Sequence, residues 1–162
     1  MKSIMLLASL IMMPVLFTSC SKEELISDQN LAIDIKIEDA NLQEDVIDLI
    51  NDHRIDIGLN TLNFLEIVKT VAATHTDYMI EKGEVSHEFF FTREKELKEK
   101  ADAELVGENV AYGFSTAKGV VDAWLNSNKH RENINGDFTH VGISAKKNAE
   151  GRVYYTLMLV KK

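Results

Sequence analysis

The chain of 162 residues contains one cysteine, Cys20, and one proline, Pro14, and both lie close to its N-terminus. Beyond Cys20 the sequence therefore offers no disulfide framework and no structural zinc site built on several cysteines. Hydrophobic residues make up 45% of the chain and charged residues 27%, which excludes a disordered acidic chain and a multi-span membrane protein. A hydrophobic core alone must hold the fold, and a chain of this length suits one domain.

The charge balance excludes nucleic acid as a partner. Asp and Glu number 26 against 18 Lys and Arg, so the formal net charge is −8 at pH 7. Binding to phosphates needs a basic surface, and docking on anionic lipid needs clustered positive charge. We expect a monomer that is attracted electrostatically neither to nucleic acid nor to anionic lipid.

The first 19 residues predict a signal peptide. Lys2 precedes an apolar run from Ile4 to Phe17, and this run is too short to span a membrane comfortably. The run ends in Leu16–Cys20, a segment that resembles the lipobox of bacterial lipoproteins. An ordinary secretory signal with an incidental cysteine is the alternative.

The lipobox resemblance implies that Cys20 carries lipid, including palmitate, after residues 1–19 are removed. Residues 20–40 would then form a lipidated tether ahead of a domain at residues 41–162. Several acyl chains, at about 0.8 kcal/mol per buried methylene, anchor a protein without a spanning helix. We expect an exported protein attached to the cell envelope, at the outer membrane. The acidic residues Glu23 and Glu24 resemble a surface-export signal, and a solvated tether explains them equally well.

Hydrophobic periodicity predicts that helices come first in the body of the chain and strands last. The predicted helices span residues 42–57, 61–82, 92–101 and 116–129. Strands are predicted at 105–113, 138–145 and 153–160, and the last two form an antiparallel hairpin. These elements define an α+β fold, arranged in layers. We interpret helix 92–101 as a solvated charged face and His75 as a core histidine.

The candidates for chemistry are His87, Glu108 and His130, with Ser127 as a weaker one. Ser127 precedes His130 by three residues, so both side chains can lie on one face of a helix end. One carboxylate and two imidazoles can bind a metal such as zinc or perform acid–base work near neutral pH. The sequence contains neither an HExxH zinc motif nor a GxSxG nucleophile elbow.

Four segments occur in the order that is typical of one family. They are Asn51-x-x-Arg54 with Gly58-Leu59 and Leu62, the pair Ser86-His87, the run Gly107–Gly113, and the run Ala123–Ile134. Together they resemble the CAP superfamily of cysteine-rich secretory, antigen 5 and pathogenesis-related proteins, in its bacterial SCP-like branch. The resemblance covers about residues 42–161. It implies an α-β-α sandwich, in which a small antiparallel sheet lies between helices beside a cleft.

The resemblance also implies which residues line the cleft. Animal and plant members hold two histidines and two glutamates there, and some bind a divalent metal. His87 and Glu108 match the first of each, whereas the second glutamate is Ser127 here and the second histidine is Asp137. Bacterial members carry a histidine at the position of His130. The implied metal ligands are His87 and His130, with zinc as an example of the metal.

The resemblance leaves two functions open. The first is a binding or interaction module whose cleft takes a lipid, sterol, glycan or protein ligand. The alternative is a peptidase-like, metal-assisted hydrolase, in which His87 and His130 hold the metal and Glu108 acts as base. A weaker third idea uses Ser127 as a nucleophile with His130. We expect the phenylalanines at 89–91 to be core residues rather than a lip of the cleft.

Overall fold

The computed structural model describes residues 41–162, so the predicted signal peptide, Cys20 and the tether lie outside the described residues. Nine elements follow one another in the described part of the chain: α1 (41–56), β1 (Asn63–Phe64), α2 (Glu66–Lys82), α3 (Phe90–Ala101), β2 (Leu105–Tyr112), α4 (Ala117–Asn126), α5 (Asn128–Ile134), β3 (His140–Lys147) and β4 (Val153–Lys161). Within residues 41–162 no helix has the length and apolarity to cross a membrane.

The four strands form one sheet in the order β1-β3-β4-β2. Strand β4 pairs antiparallel with β2 on one side and with β3 on the other, which confirms the predicted hairpin. The two-residue strand β1 pairs parallel with β3, through Asn63 with His140 and Phe64 with Val141. The predicted antiparallel sheet is therefore correct for three strands, and β1 adds a short parallel edge.

Helices cover both faces of the sheet, so the fold is the α-β-α sandwich that the sequence predicts. Alternate residues of β4 point to opposite faces, because side chains alternate along a strand. One cluster joins Leu157 and Leu159 to Val46 of α1 and Trp124 of α4. A second cluster on the other face joins β4 to α2 and α3, and it includes Met158, Val160, Val68 and Leu97. Burial on both faces explains why β4 reads as a continuous apolar run.

Two predicted helices have different limits in the structure. The helix predicted at 61–82 begins at Glu66, because the residues before it form β1 and pair with β3. The helix predicted at 116–129 is divided at Ser127, which adopts an extended conformation between α4 and α5. The guanidinium of Arg131 donates to the carbonyl of Leu125 and to Asn128 Oδ1, both at 2.7 Å. The first of these bonds satisfies a backbone carbonyl that a continuous helix would satisfy internally.

A buried arginine on α1 fixes the segment that follows α5. Arg54 is 0% exposed, and its guanidinium donates to the backbone carbonyls of Ile134, Gly136 and Phe138 at 2.6, 2.9 and 3.2 Å. Its Nε atom also donates to the carbonyl of Asn60 at 2.8 Å. Because buried carbonyls need donors, Arg54 holds the end of α5 in one position.

Candidate functional site

The carboxylate of Glu108 is the centre of the candidate site. Glu108 lies in the middle of β2 opposite Met158 of β4, and its side chain is 1% exposed. Oε1 lies 2.8 Å from His87 Nδ1, so the structure brings these two predicted residues into hydrogen-bonding contact. Asn133 of α5 donates to the backbone carbonyl of Glu108 at 2.9 Å and so joins α5 to β2.

The second partner of Glu108 is Arg93 on α3, which the sequence analysis missed. Arg93 Nε donates to Oε2 at 2.7 Å and Nη2 donates to Oε1 at 2.8 Å, so the guanidinium and the carboxylate form a bidentate pair. The interpretation of residues 92–101 as a solvated face is therefore wrong at this position. Arg93, Leu97 and Ala101 recur every four residues and are all buried, a spacing that the sequence does show.

The pair keeps Glu108 ionised in spite of its burial. Burial by itself raises the pKa of Glu108, because it penalises the charged form. The hydrogen bonds from His87 and Arg93, together with the charge of Arg93, bring the pKa below its usual value. Glu108 is thus a carboxylate at neutral pH.

His87 lies on the exposed side of this pair, in the loop between α2 and α3. Its side chain is 53% exposed, and its Nε2 atom has no hydrogen-bond partner among residues 41–162. Behind it, His75 Nε2 is 2.7 Å from the carbonyl of Ser86. His75 is buried, as predicted for a core histidine, and burial lowers its pKa. His75 therefore helps to fix the loop that carries His87.

The structure places the imidazole of His130 within electrostatic range of His87, whereas Ser127 lies at the junction of α4 and α5. The carbonyl of His130 accepts from the side chain of Asn109 at 3.0 Å, which ties α5 to β2. Burial and, to a smaller extent, the charge of His87 lower the pKa of the His130 imidazole. In the described part of the chain, no hydrogen bond joins the Ser127 hydroxyl to His130.

The donor atoms of this site do not fit a divalent metal. Within residues 41–162 no group of three His, Cys, Asp or Glu side chains is arranged to hold a metal ion. Both oxygens of Glu108 already accept hydrogen bonds from Arg93, whose fixed positive charge repels a second cation. We therefore derive no step that passes through a metal on Glu108.

A cleft of about 370 Å³ opens beside His87. Its polar lining comes from His87, Glu108 and Asn133, and its apolar lining comes from Phe90, Phe91 and Val106. Phe91 is 81% exposed and Phe89 is 58% exposed, so the prediction that they are core residues is wrong. The physical reason is that α3 turns Arg93, Leu97 and Ala101 toward the sheet, so that Phe91, two residues before Arg93, lies on the opposite side of the helix.

The fold and the site together define an α-β-α sandwich with a histidine–glutamate pair in a surface cleft. A family model described as "CAP: Cysteine-rich secretory protein family" matches residues 47–159. The chain belongs to this family.

A relative from Bacillus subtilis agrees with this assignment. The uncharacterized membrane protein YlbC of Bacillus subtilis is 30% identical over 124 residues, which cover 74% of this chain and 34% of YlbC. This chain therefore spans about a third of the length of that relative.

Two solved structures share the fold. An extracellular protein containing a SCP domain from Bacillus anthracis has a TM-score of 0.67 and 26% identity, covering 76% of this chain and 41% of that one. An outer surface protein from Borrelia burgdorferi has a TM-score of 0.66 and 24% identity, covering 74% of this chain and 94% of that one.

Proposed function

We propose that the protein is an exported, lipid-anchored binding module of the cell envelope, and that the cleft around His87, Glu108 and His130 receives its ligand. The observation that carries this proposal is the pairing of a free imidazole nitrogen with an exposed aromatic side chain. His87 Nε2 has no partner among the described residues, and Phe91 beside it is 81% exposed. Binding sites typically combine apolar lining with a few well-placed polar groups, and exposed large apolar side chains mark interaction surfaces.

The geometry favours binding over the two catalytic alternatives. A metal-assisted hydrolase needs Glu108 as a free base, and both of its oxygens accept hydrogen bonds from Arg93. A Ser127 nucleophile needs a hydrogen bond to its base, and the described residues form none between Ser127 and His130. The proposed ligand therefore has an apolar part for Phe91 and a polar group for His87. Lipids, sterols, glycans and protein segments are the classes to be tested.

The proposal of export rests on the first 20 residues and on the relatives. The related protein from Bacillus anthracis is described as extracellular, and YlbC as a membrane protein. Residues 1–19 have the pattern of a signal peptide, and Cys20 is the expected site of lipid attachment. An anchor at Cys20 would hold the cleft at the membrane on a tether of about 20 residues, with the outer membrane as the proposed location.

Ligand binding is tested by nuclear magnetic resonance on the full chain in detergent, titrated with separate lipid, sterol, glycan and peptide samples. We expect one class to shift the His87 and Phe91 signals saturably. Phe91→Ser should weaken that binding about tenfold, which corresponds to about 1.4 kcal/mol. Phe64→Ser is the matched control, because Phe64 is 49% exposed and lies outside the cleft. Equal effects of the two variants, or no shift with any class, would contradict the proposal.

Lipid attachment is tested by labelling growing cells with palmitate. We expect the label in the wild-type chain and in the control variant Ser21→Ala, and we expect none in Cys20→Ser. The reason is that only the thiol of Cys20 can form the thioether to diacylglycerol, since the chain has no other cysteine. Wild-type labelling of Cys20→Ser would refute the anchor.

A further inference from the structure

We propose that Arg93 is the positioning residue of the cleft: it fixes Glu108 as an acceptor, and Glu108 then holds His87 with its proton on Nδ1. His87 Nε2 is thereby left as an acceptor that faces the cleft, and it serves a ligand without any metal. The inference rests on the proposed binding function of this cleft. It adds the chemical class of the ligand's polar group, which must be a hydrogen-bond donor such as a hydroxyl or an N–H.

The guanidinium of Arg93 is buried and held in one orientation. Its side chain is 6% exposed, and a third bond, from Nη1 to the carbonyl of Glu88 at 2.7 Å, fixes its orientation. An arginine side chain stays protonated in proteins and has donors but no acceptor. Both nitrogens that face Glu108 therefore always present a hydrogen to it.

Both oxygens of Glu108 lie opposite nitrogen atoms of Arg93 or His87. Oε2 faces Arg93 Nε, and Oε1 faces both Arg93 Nη2 and His87 Nδ1. A proton on Oε2 would point against Arg93 Nε, and a proton on Oε1 would have to point at His87 Nδ1 and leave the arginine paired with a neutral acid. The fixed charge of Arg93 in a buried bidentate pair therefore favours the ionised form, in which both oxygens of Glu108 accept.

The carboxylate of Glu108 determines which ring nitrogen of His87 carries the hydrogen. Because an ionised carboxylate only accepts hydrogen bonds, Nδ1 must carry the hydrogen in the 2.8 Å contact with Glu108. In the neutral ring the other nitrogen then has a lone pair, so Nε2 is an acceptor. This nitrogen belongs to the exposed side of a residue that lines the cleft with Phe90 and Phe91. A ligand that carries a hydrogen-bond donor next to an apolar group would match both the Nε2 acceptor of His87 and the phenylalanine side chains of the cleft.

The test reads the His87 tautomer directly from the ¹⁵N shifts of its ring nitrogens, on the full chain in detergent at neutral pH. We expect the wild-type chain to show only the Nδ1–H tautomer. Arg93→Met should replace it with a mixture of both tautomers, and Arg93→Lys should restore at least half of the Nδ1–H population. Arg152→Met is the control, because Arg152 is exposed and lies over Tyr112, and it should leave the His87 shifts unchanged.

A wild-type chain with the Nε2–H tautomer would overturn the inference, even if Arg93→Met fails to fold. An unchanged tautomer in a folded Arg93→Met variant would also overturn it. Equimolar zinc sulfate should not move the His87 ring shifts, and saturable movement that His87→Ala abolishes would refute the metal-free site. The tautomer needs no ligand to be observed. A correct tautomer without binding in the titrations therefore contradicts only the proposed function, and binding with the wrong tautomer contradicts only this inference.

Discussion

Replacing Arg54 by methionine tests how the structure holds the end of α5. Arg54 is wholly buried, and its guanidinium is the donor for carbonyls of the segment that follows α5, namely those of Ile134, Gly136 and Phe138. Methionine has a similar length and fills the same space, but it offers no hydrogen. Arg54→Met therefore leaves the carbonyl of Ile134 without its donor, whereas Gly136 keeps the backbone N–H of Phe138 and Phe138 keeps Asn60 Nδ2. The packing changes little.

The expected loss of stability follows from these bonds. An unsatisfied buried polar group costs about 1–3 kcal/mol, which applies to the carbonyl of Ile134, and the carbonyls of Gly136 and Phe138 each lose one of two hydrogen bonds. Part of this loss is recovered, because burial disfavours the charged guanidinium and lowers the pKa of Arg54. We expect the free energy of unfolding to fall by about 3 kcal/mol. For a domain of this size that is a decrease of about 10 °C in Tm.

Circular dichroism of the purified full chain during heating measures the change, and urea unfolding checks it at constant temperature. Arg152→Met is the control, because it removes an equally long cation from the surface. Hydrogen exchange should accelerate in residues 131–138 more than in β4. A decrease in Tm of less than about 3 °C, or equal decreases in both variants, would show that these hydrogen bonds of Arg54 do not stabilise the segment.

Three further predictions concern packing and acid stability. Gly142→Ala should lower the free energy of unfolding in urea by about 2 kcal/mol or more, because its Cβ would lie 2.2 Å from the backbone nitrogen of Lys69. Gly119→Ala, whose Cβ meets only side chains, is its control and should change stability by less than about 1 kcal/mol. Burial lowers the pKa of His75, so the unfolded chain binds a proton first and stability should fall as pH drops below about 6.5. The loss of stability on acidification should be smaller in His75→Gln. The lowered pKa of Glu108 acts in the same direction below about pH 4.3, and Glu108→Gln should remove that part of the urea midpoint's pH dependence.

The sequence predicts the elements whose signals are local. The apolar run at 153–160 is β4, and the alternation before it is β3, because burial of a strand leaves a direct trace in its residues. Strand β1 leaves no such trace. It consists of Asn63 and Phe64, and it exists because these residues pair with His140 and Val141, which come much later in the chain. The same pairing moves the start of α2, so a local pattern cannot place that boundary.

The candidate site divides in a similar way. His87 and Glu108 follow from the family resemblance, and the structure joins them by a hydrogen bond. Arg93 was missed because a segment rich in Lys and Glu usually faces water, and only the position of Glu108 gives its single arginine a buried partner. The exposure of Phe91 was also missed, since it depends on which side of α3 meets the sheet.

The burial of Arg93 with Glu108 is itself an argument for a positioning role. A buried ion pair gains attraction but loses the hydration of both charges, so apolar residues of similar size often stabilise a protein as well or better. Stability alone therefore does not explain why two charges lie between α3 and β2. What apolar residues could not do is accept the hydrogen of His87 Nδ1 and keep its ring at one angle. The pair makes physical sense as a support for the exposed imidazole, and this links the one buried ion pair of the described residues to the cleft.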